Sequence, residues 1–273
     1  VGSPYVRKMF DCFGLDPFIA VPSQDAPDAD FPTVSFPNPE EGAGVWTEAF
    51  KVADARGVDV CIANDPDADR FCCAERSEGG SGSGWRIFSG NDLGIMLADW
   101  IYTNWRANGK GEGQEKAAML TTNVSARVLQ GMCEQEGIRF EETLTGFKWL
   151  GNKALDLEAD GYKVLFAYEE AIGFMLGGTS VVDKDGVAAA AVFVDLVNHV
   201  YGRELSLQAH LEGLYAKYGE RLYKQGYFVI DVSKCAEVLG VLRQDYPAEL
   251  GGVAVKAVEE SGQMITFRFE DNG

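Results

Sequence analysis

Asp65, Asp67 and Asp69 stand at alternate positions in the run Asn64-Asp65-Pro66-Asp67-Ala68-Asp69-Arg70. That spacing lets three carboxylates turn toward one point. Held about 5 Å apart they repel by roughly 3 kcal/mol per pair at an effective dielectric near 20, so a cation is needed to offset them. Oxygen-only ligation selects a hard ion, Mg²⁺ ahead of Ca²⁺ or Mn²⁺, and Mg²⁺ is usually completed by phosphate oxygen or water. An EF-hand also begins D-x-D-x-D, but it requires Gly at its sixth position and Glu at its twelfth. Those positions hold Arg70 and Arg76 here, and the EF-hand reading fails. The plain alternative is a solvated acidic turn, since Asp and Pro are common turn residues. Position after a strand and alternate spacing agree on the metal.

Three further groups could do chemistry. In Tyr168-Glu169-Glu170-Ala171-Ile172-Gly173, two adjacent acids follow a predicted strand. Both cannot be buried cheaply, so one should hydrogen-bond a polar ligand such as sugar hydroxyls; an acidic turn is an equal account. In Thr145-Gly146-Phe147-Lys148-Trp149 a strand passes into a helix whose N-terminal amides could hold an anion, although a Thr-capped helix start is the simpler reading. Lys184, within Asp183-Lys184-Asp185-Gly186, could meet a phosphate or face solvent.

The elements that must position these groups alternate between strand and helix. Phe18–Val21 and Asp59–Ala63 read as strands, with a helix over Val45–Arg56 between them that ends at Gly57. Asp92–Asn108 reads as a helix, and the Ser/Gly run 77–84 as a flexible turn within a β region. Lys110–Glu115 has linker composition. After it the pattern restarts: strands at Ala117–Thr121, Arg139–Leu144 and Lys163–Tyr168, and helices at Ser125–Glu136, Phe147–Ala159, Gly186–Tyr201 (capped by Asp185) and Ser206–Tyr218. Alternation of this kind implies parallel sheets, with ligands outside the carboxyl ends of the strands. From Tyr227 the order becomes strand, helix (Ser233–Asp245) and two strands, an α+β arrangement.

Composition bounds the partners. The chain has 273 residues, 46% of them hydrophobic, enough for about two domains with real cores. Lys plus Arg number 24 against 42 Asp plus Glu, a formal net charge of −18. So acidic a surface repels nucleic acid and anionic lipid, and any anionic ligand must be held by a few placed cations. Arg70 and Lys184, beside acidic loops, therefore stand out. The longest apolar run, Val187–Val194, is far short of a membrane span, and no secretory signal is read near the start. The first residue, Val1, and the final run 269–273 suggest a piece of a longer polypeptide. Six cysteines without C-x-x-C spacing read as reduced thiols of a cytoplasmic protein. His199 and His210 read as surface or packing residues, and the five tryptophans as core.

Together, Phe31-Pro32-Thr33, Phe36-Pro37-Asn38-Pro39-Glu40-Glu41, Asn64–Arg70, Thr143–Lys153, Phe166–Gly173 and Asp183–Gly186 resemble the α-D-phosphohexomutase superfamily. Within it they resemble the phosphoglucomutase/phosphopentomutase branch that includes glucose-1,6-bisphosphate synthase. The resemblance covers nearly the whole chain and implies an α/β fold with two mixed or parallel-sheet domains and the start of a smaller α+β domain. It divides the chain into 1–109 (domain 2, carrying the metal loop, incomplete at its N-terminus), 110–224 (domain 3, carrying the sugar loop) and 225–273 (beginning of domain 4).

By similarity, Asp65, Asp67 and Asp69 hold Mg²⁺ against an active-site phosphoserine, with Arg70 beside it. Glu169 reads sugar hydroxyls, Thr145 and Gly146 lie in a substrate-orienting loop, and Lys184 lies near the substrate phosphate. The implied activity is intramolecular phosphotransfer. Sugar 1-phosphate and 6- or 5-phosphate, of glucose or a pentose, interconvert through a bisphosphate such as glucose 1,6-bisphosphate. Two departures count. Ala171 stands where glucose-specific relatives have Ser, which points to the pentose-tolerant branch. No Ser-His-Asn phosphoserine loop or Arg-x-Ser-Gly-Thr phosphate loop is present, so the chain alone is expected to be inactive. The competing readings are a haloacid-dehalogenase-like phosphatase, whose D-x-D-x-[TV] setting lacks its Thr here, and a non-catalytic metal or sugar-phosphate binding module.

Overall fold

Residues 1–40, 43–77, 84–109, 116–221, 223–224, 226, 230–262 and 264–269 are described by a computed structural model. The chain forms two compact units, Val1–Tyr223 and Lys224–Gly273.

The first unit opens with α1 (Ser3–Phe13), a helix with proline in its first turn and Gly14 in the left-handed conformation after it. A long irregular stretch leads to a 3₁₀ turn and α2 (Thr47–Arg56), closed by Gly57. Phe18–Val21, read as a strand, lies in this irregular chain. Phe18 instead packs edge-on against Phe10, 5.5 Å between ring centres. Four apolar residues suit a hydrophobic contact as well as a strand, and nothing in the run itself supplies a sheet edge to pair with.

Strands β1 (Val60–Asn64), β2 (Phe71–Arg76) and β3 (Trp85–Ile87) form an antiparallel sheet in that order. The expected parallel arrangement therefore fails for this sheet, and the acidic run joins two antiparallel neighbours. Six residues, 65–70, are too few for the crossover that a parallel pair requires. Most of the expected Ser/Gly turn (78–83), the expected linker (110–115) and the strand start at 227 lie outside the described residues.

Helix α3 (Gly90–Ala107) follows, with a reciprocal Ser89–Asp92 capping box. The second sheet contains β4 (Lys116–Thr122), β5 (Arg139–Thr143), β6 (Tyr162–Glu169) and β7 (Gly173–Leu176) in the order β5-β4-β6-β7. Its first three strands are parallel and β7 returns antiparallel to β6, so the sheet is mixed. Helices α4 (Val128–Glu136) and α5 (Phe147–Ala159) are its crossovers. Helices α6 (Gly186–Tyr201) and α7 (Leu207–Tyr218) close the unit, capped by Asp185 and Ser206 as the sequence suggests.

One hydrophobic cluster runs from Phe10 of α1 through Phe71 and Cys73 of β2 to Leu97 of α3, Leu129 of α4, Phe193 of α6 and Leu211 of α7. A smaller cluster fills the other face of the second sheet, between Leu120, Ala167 and Met175 of the strands and Leu150 and Ala154 of α5. β4 and β6 are thus covered on both faces, which explains their nearly continuous apolar runs. A register shift where β6 passes β4, at Leu165, puts Ala167 on the α5 face; Glu169, two residues on, shares it.

The second unit consists of α8 (Val232–Gln244) and an antiparallel sheet of β8 (Glu249–Leu250), β9 (Val253–Ser261) and β10 (Met264–Phe269), an α+β arrangement. The whole chain is α/β as read. Among the described residues no helix is long and apolar enough to cross a membrane. The six cysteines are free, with Cys61, Cys72, Cys73 and Cys133 buried. Trp149 departs from the expected core role, being 50% exposed in the first turn of α5.

Candidate active site

The acidic run folds into a tight connection between β1 and β2. The Ala68 amide donates to the Asp65 carbonyl at 3.0 Å, and Ala68 itself takes a left-handed backbone (φ +62°). The Arg70 amide donates to Asp65 Oδ1 at 3.1 Å, and Asn64 Nδ2 donates to the Arg70 carbonyl at 2.6 Å. The turn brings one carboxylate oxygen each of Asp65, Asp67 and Asp69 within 4.8 Å of one another. This hard, all-oxygen donor set fits a divalent cation. Burial pushes the Asp65 carboxyl up to about 6, opposed by the Arg70 amide and reinforced by Asp67 and Asp69. Such mutual repulsion is what a bound cation reverses.

Cations surround the trio. Lys184 Nζ lies 2.8 Å from Asp69 Oδ2. Burial alone lowers the Lys184 ammonium, but the hydrogen bond and charge of Asp69 override it, and its pKa is raised. Gly186, first residue of α6, makes this reach possible. A Cβ there would collide with the Arg70 carbonyl, so only glycine lets α6 start hard against the acidic turn. Arg70 lies 3.7 Å from Glu40, 3.8 Å from Asp65 and 4.0 Å from Asp69, and its buried Nε has no hydrogen-bond partner among the described residues. A cavity of about 260 Å³ beside the turn is lined by Gly2, Tyr5, Asp67, Asp69, Lys184 and Val187.

The turn after β6 reaches the same place. Arg70 and Gly173 form an antiparallel bridge, and the Phe71 amide donates to the Ile172 carbonyl at 3.1 Å. The acidic turn and the Glu169–Gly173 turn are therefore joined by backbone. Glu169 is buried, and desolvation raises its carboxyl pKa. Lys184 and Arg70 act against that rise, while Glu170 and Asp69 add to it. Phe147 links a third segment: its ring sits 5.6 Å from Lys184 Nζ and against the open side of Gly173.

The structure thus brings together Asp65, Asp67, Asp69, Arg70, Lys184 and Glu169. Thr145 and Gly146 precede Phe147, whose ring reaches Lys184 and Gly173. Thr145 is exposed, and the helix it was expected to cap has Gly146 at its N-cap with no side-chain cap. The carbonyl of Gly146 takes the first helical bond instead, from Trp149 at 2.9 Å. Sequence reasoning gave no role to Glu40, Asn64, Phe147 or Gly186. Each stands in or beside a singled-out run; the parts of Glu40, Phe147 and Gly186 depend on neighbours distant in sequence, and that of Asn64 on how the run itself turns.

Residues 1–80 match the family model for phosphoglucomutase/phosphomannomutase, alpha/beta/alpha domain II, and residues 89–218 match that for domain III. The phosphopentomutase of Mus musculus is 40% identical over 300 residues, covering 100% of this chain and 48% of that protein. The glucose 1,6-bisphosphate synthase of Homo sapiens is 38% identical over 298 residues, covering 99% and 47%. The chain therefore spans about half the length of the curated relatives it matches. Among solved structures, a phosphoglucomutase/phosphomannomutase family protein of Burkholderia thailandensis superposes with TM-score 0.62 at 15% identity, covering 100% of this chain and 54% of that one. The open form of the Paramecium phosphoglucomutase pp63/parafusin gives 0.60 at 19%, covering 99% and 47%. The structural likeness shows the fold; with the family models and the sequence relatives, it makes this chain a member of the phosphoglucomutase/phosphomannomutase family of the α-D-phosphohexomutase superfamily.

Proposed function

We propose that this chain carries the metal-binding and sugar-reading parts of a Mg²⁺-dependent phosphosugar mutase. The full-length protein would interconvert sugar 1-phosphate with 6- or 5-phosphate through an active-site phosphoserine and a sugar bisphosphate. The observation that carries the reading is the backbone bridge between Arg70 and Gly173, which joins the carboxylate trio to the turn of Glu169. One rigid assembly then offers a cation site for phosphate and a carboxylate for hydroxyls.

In this reading Asp65, Asp67 and Asp69 hold the ion, which when bound supplies positive charge against phosphoryl oxygens. Lys184 leaves Asp69 to meet the substrate phosphate, and Arg70 stands beside it, its Nε paired with Asp65 and Asp69 by charge at 3.8 and 4.0 Å but without a hydrogen-bond partner among the described residues. Glu169 accepts hydrogen bonds from sugar hydroxyls in either orientation of the bisphosphate. Thr145 and Gly146 border the substrate, with Phe147 as their link to Lys184. Ala171 supplies no hydroxyl, which supports tolerance of pentose as well as hexose phosphates. The names of the relatives, phosphopentomutase and glucose 1,6-bisphosphate synthase, support the same substrate class. The proposal keeps the division 1–109, 110–224 and 225–273 and the cytoplasmic setting.

Calorimetric titration of Mg²⁺ into the folded chain tests the first step. Uptake of one ion is expected, with Asp67→Ala weakening it by at least about 100-fold, the scale of losing one of three charged ligands. No uptake by well-folded protein would overturn the assignment. A panel of hexose and pentose phosphates on the full-length protein then identifies the sugar.

A further inference from the structure

The two adjacent carboxylates after β6 do different things. Glu169 is 7% exposed, yet its carboxylate accepts no hydrogen bond among the described residues. Glu170 is tied to the end of β4 and the turn after it. Its Oε2 accepts from Ser125 Oγ at 3.2 Å and from Thr122 Oγ1 at 3.3 Å. Its backbone amide donates to Ser125 Oγ at 3.1 Å, and the two hydroxyls are 2.7 Å apart. The ring closes on itself, amide to hydroxyl and hydroxyl to carboxylate, and its anchor, Glu170, is the residue next to Glu169. Ser125 and Thr122 are both buried, so this ring is made in a setting where its hydrogen bonds count.

The rest of the turn is equally constrained. Ile172 is fully buried with φ +53°, a conformation that a β-branched residue takes only when its surroundings impose it. Gly90 at the start of α3 has no room for a Cβ against the Glu170 carbonyl. Tyr168, just before the turn, donates its hydroxyl toward Asn91 Oδ1 and the Ala126 carbonyl, each at 3.2 Å. Around a clamped turn, the Glu169 carboxylate alone is left open toward Lys184 and the acidic run.

We infer that Ser125 and Glu170 are positioning residues for sugar recognition: their hydrogen-bond ring fixes the turn so that the Glu169 carboxylate meets the substrate hydroxyls already aimed. This rests on the sugar-reading role of Glu169 proposed above. Preorganisation of this kind lowers what binding must spend on ordering the loop.

The test is a set of variants of the full-length protein assayed with glucose 1-phosphate and ribose 1-phosphate. Ser125→Ala and Glu170→Ala are expected to raise KM about tenfold with kcat held within about twofold, the scale of one lost hydrogen bond. Glu170→Gln, whose amide oxygen still accepts from Ser125, is expected to stay near the parent. In a Glu169→Ala background, Ser125→Ala should add no further rise in KM, because its effect runs through Glu169. Mg²⁺ affinity by calorimetry should be unchanged by Ser125→Ala. An equal penalty in both backgrounds, or a parallel loss of Mg²⁺ affinity, would reduce the ring to fold support and overturn the inference alone. If Glu169→Ala leaves KM untouched, or the unsubstituted protein turns over no sugar phosphate, the mutase reading falls and takes the inference with it. Should Ser125→Ala fail to fold, the contrast between Glu170→Ala and Glu170→Gln decides.

Discussion

The Lys184 ammonium lies 2.8 Å from Asp69 Oδ2, where a divalent ion would compete for the same carboxylate. Lys184→Met is therefore expected to have effects of opposite sign. Mg²⁺ affinity should rise a few-fold as a competing charge leaves, while KM for sugar phosphate should rise about tenfold as the phosphate loses its partner. Calorimetry reads the first and steady-state kinetics of the full-length protein the second. A solvent-facing lysine would change neither. The aspartate trio was legible in the sequence because alternate spacing alone turns carboxylates together. The Lys184–Asp69 pair was not: each residue's own neighbourhood is acidic, and only the start of α6 against the turn selects which carboxylate the lysine takes.

Elements are joined by a buried carboxylate. Glu75 of β2, 2% exposed, accepts from Tyr201 Oη at 2.9 Å, the Leu207 amide at 2.6 Å and the Gln208 amide at 3.0 Å. An anion there completes the N-terminus of α7 and binds the first sheet to α6 and α7. Glu75→Ala removes the shared acceptor of three donors, of which the Leu207 amide is buried, and should cost about 3 kcal/mol, lowering Tm by roughly 6–12 °C in scanning calorimetry. Glu75→Gln keeps an acceptor and should lose about half as much. On α7 itself, burial holds His210 below its ordinary value of 6.5, and its Nε2 is buried with no hydrogen-bond partner. Asp99 opposes that shift, while Arg203 and His199 add to it. The unfolded chain then binds a proton that the folded chain refuses. The neutral-imidazole contribution is complete above pH 6.5 and is lost as pH falls from there toward the depressed folded value. His210→Gln should flatten the fall of Tm as pH drops below 6.5, relative to the parent. A parallel decline in both proteins would remove His210 from the account. Helices were legible at this scale through periodicity and caps at Gly57, Asp185 and Ser206. The partner of Glu75 was not, because a strand acid carries no local mark of the helix it will cap.

Across the molecule the net charge is −18, and two cations, Arg70 and Lys184, converge on the acidic run. The 273-residue chain assayed by itself is expected to take up Mg²⁺ without mutase turnover. At Mg²⁺ near 100 times Kd the bound ion adds about 2.7 kcal/mol, which should raise Tm by several degrees and be reversed by EDTA. Turnover by the chain with no complementing polypeptide would contradict the expectation.

The alternation of strand and helix after Ala117, the mixed α/β class and the family followed from local pattern, since apolar spacing and short motifs are properties of neighbouring residues. Two matters needed the folded chain. The first sheet is antiparallel, so the acidic run lies in a turn between β1 and β2 rather than at the edge of a parallel sheet. Glu169 reaches that run because β7 folds back and Gly173 pairs with Arg70. Strand direction and cross-sheet pairing depend on which distant backbone offers its hydrogen bonds, and periodicity along one segment carries no trace of that choice.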